Sequence, residues 1–380
     1  MRKLTVLLFL PLMFSCGGSF SEKAESGNML ENLTYTVDTV LVDSGEEVIA
    51  LPWGMGPFTL TEDKSTLLMF EVPQHKLLEV DLDRLSLIRK TDFEKEGPNG
   101  IGDYVMQIQL GPQRALFLNG GSATGKFSVD GGLLEDLRVA PEGTDPELVT
   151  NLRNLYWSSL FDFDKNRVFS VPSTDKSEQF ELLIIDPFTK SLRMESMPKM
   201  NSVLEYRPTF MSESMIDFLA VSWYMKIENS QLLISNGSMS GFYRLDMETS
   251  DFEFVEVAHP DFPTQMDFKV NNLPTELSEF LESKQKINEH LNYMDLMWDE
   301  TRELYFRLGK KTFIDPEQKD QAPRYEIFLF AYDPDFKVVG QTQVIGLNQL
   351  PQGGFFKDGK LWSYVNVEDE LGFAVVEFKF

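Results

Sequence analysis

One short phrase occurs six times in this chain, and it limits the possible folds more than any other feature. The copies are Thr66-Leu-Leu-Met-Phe-Glu-Val72, Arg114-Ala-Leu-Phe-Leu-Asn-Gly120, Asn166-Arg-Val-Phe-Ser-Val-Pro172, Ser230-Gln-Leu-Leu-Ile-Ser-Asn236, Arg302-Glu-Leu-Tyr-Phe-Arg-Leu308 and Gly359-Lys-Leu-Trp-Ser-Tyr-Val365. Each is a mostly apolar β-type run behind a polar or turn-forming segment. Their third residues, Leu68, Leu116, Val168, Leu232, Leu304 and Leu361, are separated by 48, 52, 64, 72 and 57 positions. A unit of that size built from short β-runs cannot bury its own faces. It must stack on copies of itself, as propeller blades do.

The repeat count therefore outranks the length rule, which would divide 380 residues into two or three domains. With 42% hydrophobic residues the chain can bury a large core. The expected fold is all-β: a single six-bladed β-propeller over residues 31–380, behind a signal peptide at 1–15 and a flexible tether at 16–30.

Blade one shows how a unit is assembled. Strands are expected at Phe58–Thr61, Leu67–Val72, Leu77–Leu82 and Ser86–Lys90, joined by tight turns. The remaining blades are expected near 104–139, 156–194, 218–257, 293–344 and from Gly354 onward. The last has three strands, ending in Gly372-Phe-Ala-Val-Val-Glu-Phe-Lys-Phe380. The β-branched run Thr34-Tyr-Thr-Val-Asp-Thr-Val-Leu-Val42 has no hairpin partner of its own. If that run supplies blade six's missing edge, the ring closes without a disulfide and hides an edge that would invite aggregation.

A second phrase marks the ends of third strands: an apolar residue, then Asp, then a turn. It appears at Asp81, Asp186, Asp246 and Asp333, with Asp130 a weaker copy. Recurrent aspartates suggest metal ligands, but an Asp at a turn more simply accepts the turn's own amide hydrogens. Between blades four and five, residues 274–291 carry Leu277, Phe280, Leu281, Ile287 and Leu291 at helical spacing, with Thr275 placed to cap the start. This reads as a surface helix packed on the rim, or alternatively as one that docks a neighbour.

The formal charge is −25, from 35 basic and 60 acidic residues. Loss of Arg2 and Lys3 with residues 1–15 would make it −27. Such a surface repels phosphate backbones, so no nucleic-acid partner is expected. His75, His259 and His290 are scattered and none sits in a zinc-binding pattern; no metal or other cofactor is expected. There is no Gly-x-Ser-x-Gly elbow and no phosphate loop, and acid pairs in a chain this acidic carry no information.

The first residues give an address. Arg2 and Lys3 precede the apolar run Leu4–Phe14, then Ser15 and the single cysteine, Cys16. Eleven apolar residues are too few to span a bilayer and suit a signal-peptide core. A small residue before a lone cysteine is similar to a bacterial lipoprotein signal, in which Cys16 carries the lipid, although Met13 stands where leucine is usual. The other reading is an ordinary secretory signal with an incidental cysteine. Lipidation implies a membrane partner and an envelope location, with the outer membrane favoured and either a periplasmic or a surface-facing domain.

The mouth of the ring is the place for a ligand. Glu96-Gly-Pro-Asn-Gly-Ile-Gly102 packs three glycines and a proline into seven residues between blades one and two. This is either a turn set by blade geometry or a close approach to a ligand. Asn99 in that loop, Trp53 before blade one, His75 and Arg207 are the candidate binding residues. Trp53 is either an exposed aromatic or one buried between blades.

The lipoprotein-like start, the stretch Phe93-Glu-Lys-Glu-Gly-Pro-Asn-Gly-Ile-Gly102 behind Leu77-Leu-Glu-Val-Asp-Leu-Asp83, and the overall length together resemble an uncharacterised Bacteroidota lipoprotein family. Its members carry a domain of unknown function. The resemblance implies a six-bladed β-propeller and assigns no catalytic residue.

Three functions remain open on the sequence. The first is a lipid-anchored, non-enzymatic binding or scaffolding module for a protein or glycan. The second is a propeller hydrolase, lactonase-like or glycan-directed, with carboxylates and amides converging on a metal at the mouth. The third is a structural envelope protein whose helix docks a neighbour. An apolar, aromatic mouth favours the first. Replacement Cys16→Ser is expected to shift the protein from the membrane to the soluble fraction; a mutant that still sediments with membranes removes the lipid anchor.

Overall fold

Each copy of the recurrent phrase becomes the second strand of a four-stranded antiparallel sheet. The computed structural model describes residues 27–120, 123–146, 152–172, 179–314 and 322–380. The expected signal peptide, Cys16 and most of the expected tether lie outside the described residues. The first strand, β1, is Thr34–Leu41. Blade one follows with β2 (Phe58–Leu60), β3 (Thr66–Glu71), β4 (Lys76–Asp81) and β5 (Ser86–Asp92). Blade two holds β6 (Val105–Leu110), β7 (Ala115–Gly120), β8 (Thr124–Ser128) and β9 (Leu133–Asp136), and blade three β10 (Ser158–Asp162), β11 (Arg167–Val171), β12 (Glu181–Asp186) and β13 (Ser191–Ser196). A short helix, α1 (Leu152–Leu155), precedes β10.

After blade three comes an insertion: a 3-10 helix over Pro198–Tyr206 and a two-stranded hairpin, β14 (Thr209–Met211) and β15 (Ile216–Phe218). Phe218 belongs to this hairpin. Blade four therefore begins later than the sequence implied, with β16 (Trp223–Glu228), then β17 (Gln231–Asn236), β18 (Phe242–Asp246) and β19 (Phe252–Val255). The inserted helix α2 is Leu277–Glu289. Blade five is β20 (Asn292–Asp299), β21 (Leu304–Phe313), β22 (Arg324–Tyr332) and β23 (Val338–Gln343); blade six is β24 (Gln352–Lys357), β25 (Lys360–Val367) and β26 (Glu370–Lys379).

The polar residues ahead of each second strand make the tight turns. Asn229 and Ser230 both lie at positive φ (50° and 56°), as do Asp358 and Gly359 (52° and 72°). Two consecutive left-handed residues are the hairpin geometry that matches strand twist. Four of the recurrent aspartates cap their own turns. The Asp81 Oδ1 accepts the amides of Asp83 and Arg84 at 2.9 and 2.8 Å, and Asp246 accepts those of Glu248 and Thr249 at 2.9 and 2.8 Å. Asp186 and Asp333 do the same, and the Thr189 and Thr249 amides hold Asp186 and Asp246 below the usual carboxylate pKa. The fifth, Asp130, does not cap: the Ser128 hydroxyl accepts the Gly132 amide, and Asp130 reaches across to Arg89 at 2.8 Å.

The core lies between blades. Leu68, Phe70 and Leu77 of blade one meet Leu116, Leu118 and Phe127 of blade two, and comparable clusters fill the other gaps. The ring closes through β1, which pairs with β26 over eight residues from Thr34↔Lys379 to Leu41↔Gly372. Blade six thus takes its outer strand from the start of the domain. Most β1 side chains are exposed, so the strand is held chiefly by its main chain. Buried residues pin both ends: Leu30 enters the cluster between blades five and six, and Val42 the cluster between blades six and one. The packed domain begins before position 31, because the Asn28 side chain both donates to and accepts from the Gln341 main chain and the Met29 amide bonds the Val339 carbonyl.

Inner strands have one edge without a strand partner, and side chains stitch those edges together. The Thr59 hydroxyl accepts the Leu110 amide at 3.3 Å. Gln107 and Gln109 accept the amides of Ser159 and Phe161 at 2.8 and 2.6 Å, and Lys226 Nζ donates to the Leu296 carbonyl at 2.6 Å. Each bond runs from one blade's inner strand to the next, supplying partners that a sheet edge lacks.

Helix α2 differs in detail from the expectation. Its N-cap is Glu276 rather than Thr275, with no side-chain cap, although Glu279 in the first turn suits the helix dipole. Phe280, Ser283 and Ile287 form the buried stripe, whereas Leu277 and Leu281 are 42% and 47% exposed. The helix rests on the β14–β15 hairpin through Phe210, 6.3 Å from Phe280, and on β21, so only a narrow stripe finds cover.

Between blades four and five, Arg307 is completely buried and donates to three carbonyls: Met294 at 2.6 Å, Ser240 at 2.6 Å and Asn236 at 3.1 Å. Burial lowers its pKa. Nearby, buried His259 bonds Gln341 Oε1 at 3.1 Å and the Tyr332 hydroxyl at 3.3 Å, and stacks on Tyr293. Burial brings its pKa to about 4, against the ordinary 6.5.

Two outcomes are expected. Deleting residues 34–41 strips blade six of its outer strand and should lower the melting temperature by more than 10 °C, on the order expected for losing several kcal/mol; an unchanged melting temperature contradicts closure by β1. Because the unfolded chain takes up the His259 proton first, this histidine stabilises the fold above pH 6.5, and that contribution falls away as pH drops toward 4. Between pH 7 and 5.5 the loss is about 1 kcal/mol. His259→Gln should flatten that part of a stability–pH curve, and an equal slope in both proteins would contradict the assignment.

Candidate functional site

In a meandering blade, the links between blades and the turns between second and third strands fall at the same end of the ring. At this end a cavity of about 420 Å³ opens among blades two, three and four. The inner strands supply its floor: Met106 and Gln107 from β6, Trp157 and Ser158 at the start of β10, and Trp223 at the start of β16. Phe180 leads into β12 and lies 4.8 Å from the Trp223 ring, at 31°. Val203, Leu204 and Arg207, from the insertion after blade three, form one side.

Among the described residues, Arg207 is the only charged one in this wall. The insertion between blades four and five fixes its position. Asn272 donates through Nδ2 to the Leu204 carbonyl at 2.8 Å, accepts the Arg207 amide on Oδ1 at 3.0 Å, and accepts the Thr209 amide on its own carbonyl at 3.0 Å. One residue thus clamps the turn on both sides of Arg207. The Gln107 side-chain oxygen is already engaged by the Ser159 amide. The wall therefore presents aromatic and aliphatic surface with one cation at its rim.

The far end of the channel is polar. Lys64 pairs with Glu300 at 2.7 Å, and Lys226 with Asp295 at 3.2 Å and Glu228 at 3.8 Å. Burial would lower the Lys226 pKa, but Asp295 and Glu228 more than offset this and raise it; burial raises that of Glu228 against the pull of Lys226 and Lys64. The pairs join blades one, four and five where the inner strands end. Among the described residues, no group of three or more His, Cys, Asp and Glu side chains is placed to hold a metal ion.

Of the four residues proposed from sequence, the cavity includes one, Arg207. Trp53 is 77% exposed and not buried between blades, but it lies outside the cavity wall. His75 sits in the β3–β4 turn with φ 54°, and its Nε2 is 3.0 Å from the Gly102 carbonyl, so it ties that turn to the glycine-rich loop. Asn99 is turned to the outside of the ring, where its Oδ1 accepts the Leu133 amide of the outer strand β9 at 3.0 Å. The loop's glycines follow from backbone geometry: Gly97 and Gly102 have φ of 103° and 83°, and a Cβ on Gly100 would come 2.9 Å from the Glu96 main chain. Trp157, Phe180 and Trp223 were missed. The available signal was position: two of them stand at the start of an inner strand, as Trp53 stands just before β2.

A family model described as a domain of unknown function, DUF4221, matches residues 27–343. A crystal structure of a DUF4221 member from Bacteroides vulgatus superposes with a TM-score of 0.63 at 13% identity, covering 91% of this chain and 98% of the other. A putative exported protein from Bacteroides fragilis gives a TM-score of 0.52 at 10% identity, covering 90% and 96%. At these identities the likeness establishes the fold alone. No curated protein matches the sequence. The six-bladed propeller and the family match agree over most of the chain: it belongs to the DUF4221 family, whose function is unknown.

Proposed function

We propose that this chain is a non-enzymatic binding propeller of the cell envelope, held to the membrane by a lipid on Cys16. Its ligand enters the cavity among blades two, three and four and presents an apolar, ring-bearing face. One observation carries the reading. In a chain with 60 acidic residues, none of the described residues of the cavity wall is acidic, and Trp157, Phe180, Trp223 and Met106 line it instead. Cavities of this size, largely apolar with a few polar groups, suit small ligands or a single inserted side chain or sugar ring. Hydrolysis at the same mouth would call for convergent carboxylates or amides. Among the described residues the wall offers only Gln107, whose oxygen is committed to the next blade.

A lipid anchor at Cys16 is compatible with the binding role. Asn28 is already bonded to blade five, and about a dozen residues separate it from Cys16. At roughly 3.3 Å per residue a segment of that length lets the ring stand clear of a membrane surface.

Titration with a neutral ring-bearing probe, 2-naphthylethanol, followed by tryptophan fluorescence, tests the cavity. Saturable binding is expected. Trp157→Ala, at a residue 41% exposed, should weaken it about tenfold, near 1.4 kcal/mol, without lowering the melting temperature. Non-saturable quenching, or equal affinity in the variant, would refute the assignment.

A further inference from the structure

Resting on the cavity reading above, we infer that the ligand carries a carboxylate, and that Arg207 reads it. The cations nearest the channel are otherwise committed. Lys64 and Lys226 are bound to Glu300 and Asp295, and Arg307 is spent on three carbonyls. The Arg207 guanidinium, in contrast, makes no ion pair or hydrogen bond among the described residues, although the chain has 25 more acids than bases. No carboxylate among the described residues pairs with it, although the chain carries 60 acids.

The backbone of Arg207 is held ready. Asn272 fixes the turn at Leu204, Arg207 and Thr209 together, and Asn272 comes from a different insertion. Two separate insertions therefore converge to place one guanidinium at the edge of an aromatic cavity. With the turn fixed, binding need order only the Arg207 side chain and not the loop that carries it. Its planar fork matches a carboxylate with two parallel N–H···O bonds, a geometry lysine cannot supply. The ring of such a ligand lies against Trp157, Phe180 and Trp223 while its carboxylate stays at the rim, where water still reaches it. That division keeps the charge out of the apolar floor, where its desolvation would be costly. The inferred class is a small carboxylic acid with an aromatic or alicyclic body.

The test uses matched probes on the full mature chain: 2-naphthylacetate, the neutral 2-naphthylethanol and 2-naphthyl phosphate. The acetate is expected to bind at least tenfold more tightly than the alcohol at low salt, with the gap narrowing as salt rises. Arg207→Gln should abolish that preference and leave alcohol binding intact, while Arg207→Lys should restore only part of it. Asn272→Ala, which releases the turn but keeps the charge, should weaken the acetate alone. If alcohol and acetate bind equally and Arg207→Gln changes neither, the carboxylate inference fails and the cavity stands. If no probe binds, both fail. If the phosphate binds most tightly and Arg207→Lys matches the parent protein, a phosphate site replaces the carboxylate one.

Discussion

Closure of the ring is the constraint on which the rest of the structure depends. Six four-stranded sheets, each with two apolar faces, are stable only when every face meets another. One missing strand would leave blade six narrower and its neighbours' clusters open. The strand β1 supplies that edge by main-chain pairing with β26, and it does so with few buried side chains of its own. Its fixed points are Leu30 and Val42, which enter two different inter-blade clusters on either side of blade six. Burying each of these side chains contributes on the order of 1.5–3 kcal/mol, and together they set the register of a strand whose own faces are largely wet. The ring's first and last strands are neighbours in one sheet, which closes it without a disulfide.

Closure also creates the interior edges that the molecule must then satisfy. Inner strands converge on the channel with unpaired amides and carbonyls. Thr59, Gln107, Gln109 and Lys226 answer these from one blade to the next. Arg307 performs a similar service deeper down, gathering carbonyls from blades four and five that no strand reaches. A charge so buried without a carboxylate carries a desolvation cost, offset here by three hydrogen bonds to carbonyls and by the Tyr293 ring 5.0 Å away. At the far end of the channel, the lysine–carboxylate pairs join three blades. The end that remains apolar is the one into which the insertions project.

The insertions are where this member of the family departs from a plain ring. The 3-10 helix and hairpin after blade three and the helix α2 after blade four come from separate loops, yet they pack on each other through Phe210 and Phe280 and through Asp217 and Lys284 at 3.4 Å. Asn272 extends the same contact to the Arg207 turn. A rigid ring thus carries a compact rim module, and the module places Arg207 in the cavity wall.

The sequence by itself determined the blade count, the strand order within blades, the turn-capping role of Asp81, Asp186, Asp246 and Asp333, and closure by the strand at 34–42. All of these rest on local chemistry or on strict repetition: alternating burial, turn residues, and an odd strand with no neighbour. Arg207 could be read from the sequence only as one candidate among four near a mouth, and the cavity wall includes it. The tertiary structure alone decided that Trp157, Phe180 and Trp223 face one cavity, that Asn99 turns outward to β9, and that Leu277 and Leu281 stay exposed. Those outcomes depend on the angle at which one blade or insertion meets the next. That angle is set by side chains far apart in the chain, and no periodicity within a single segment records it.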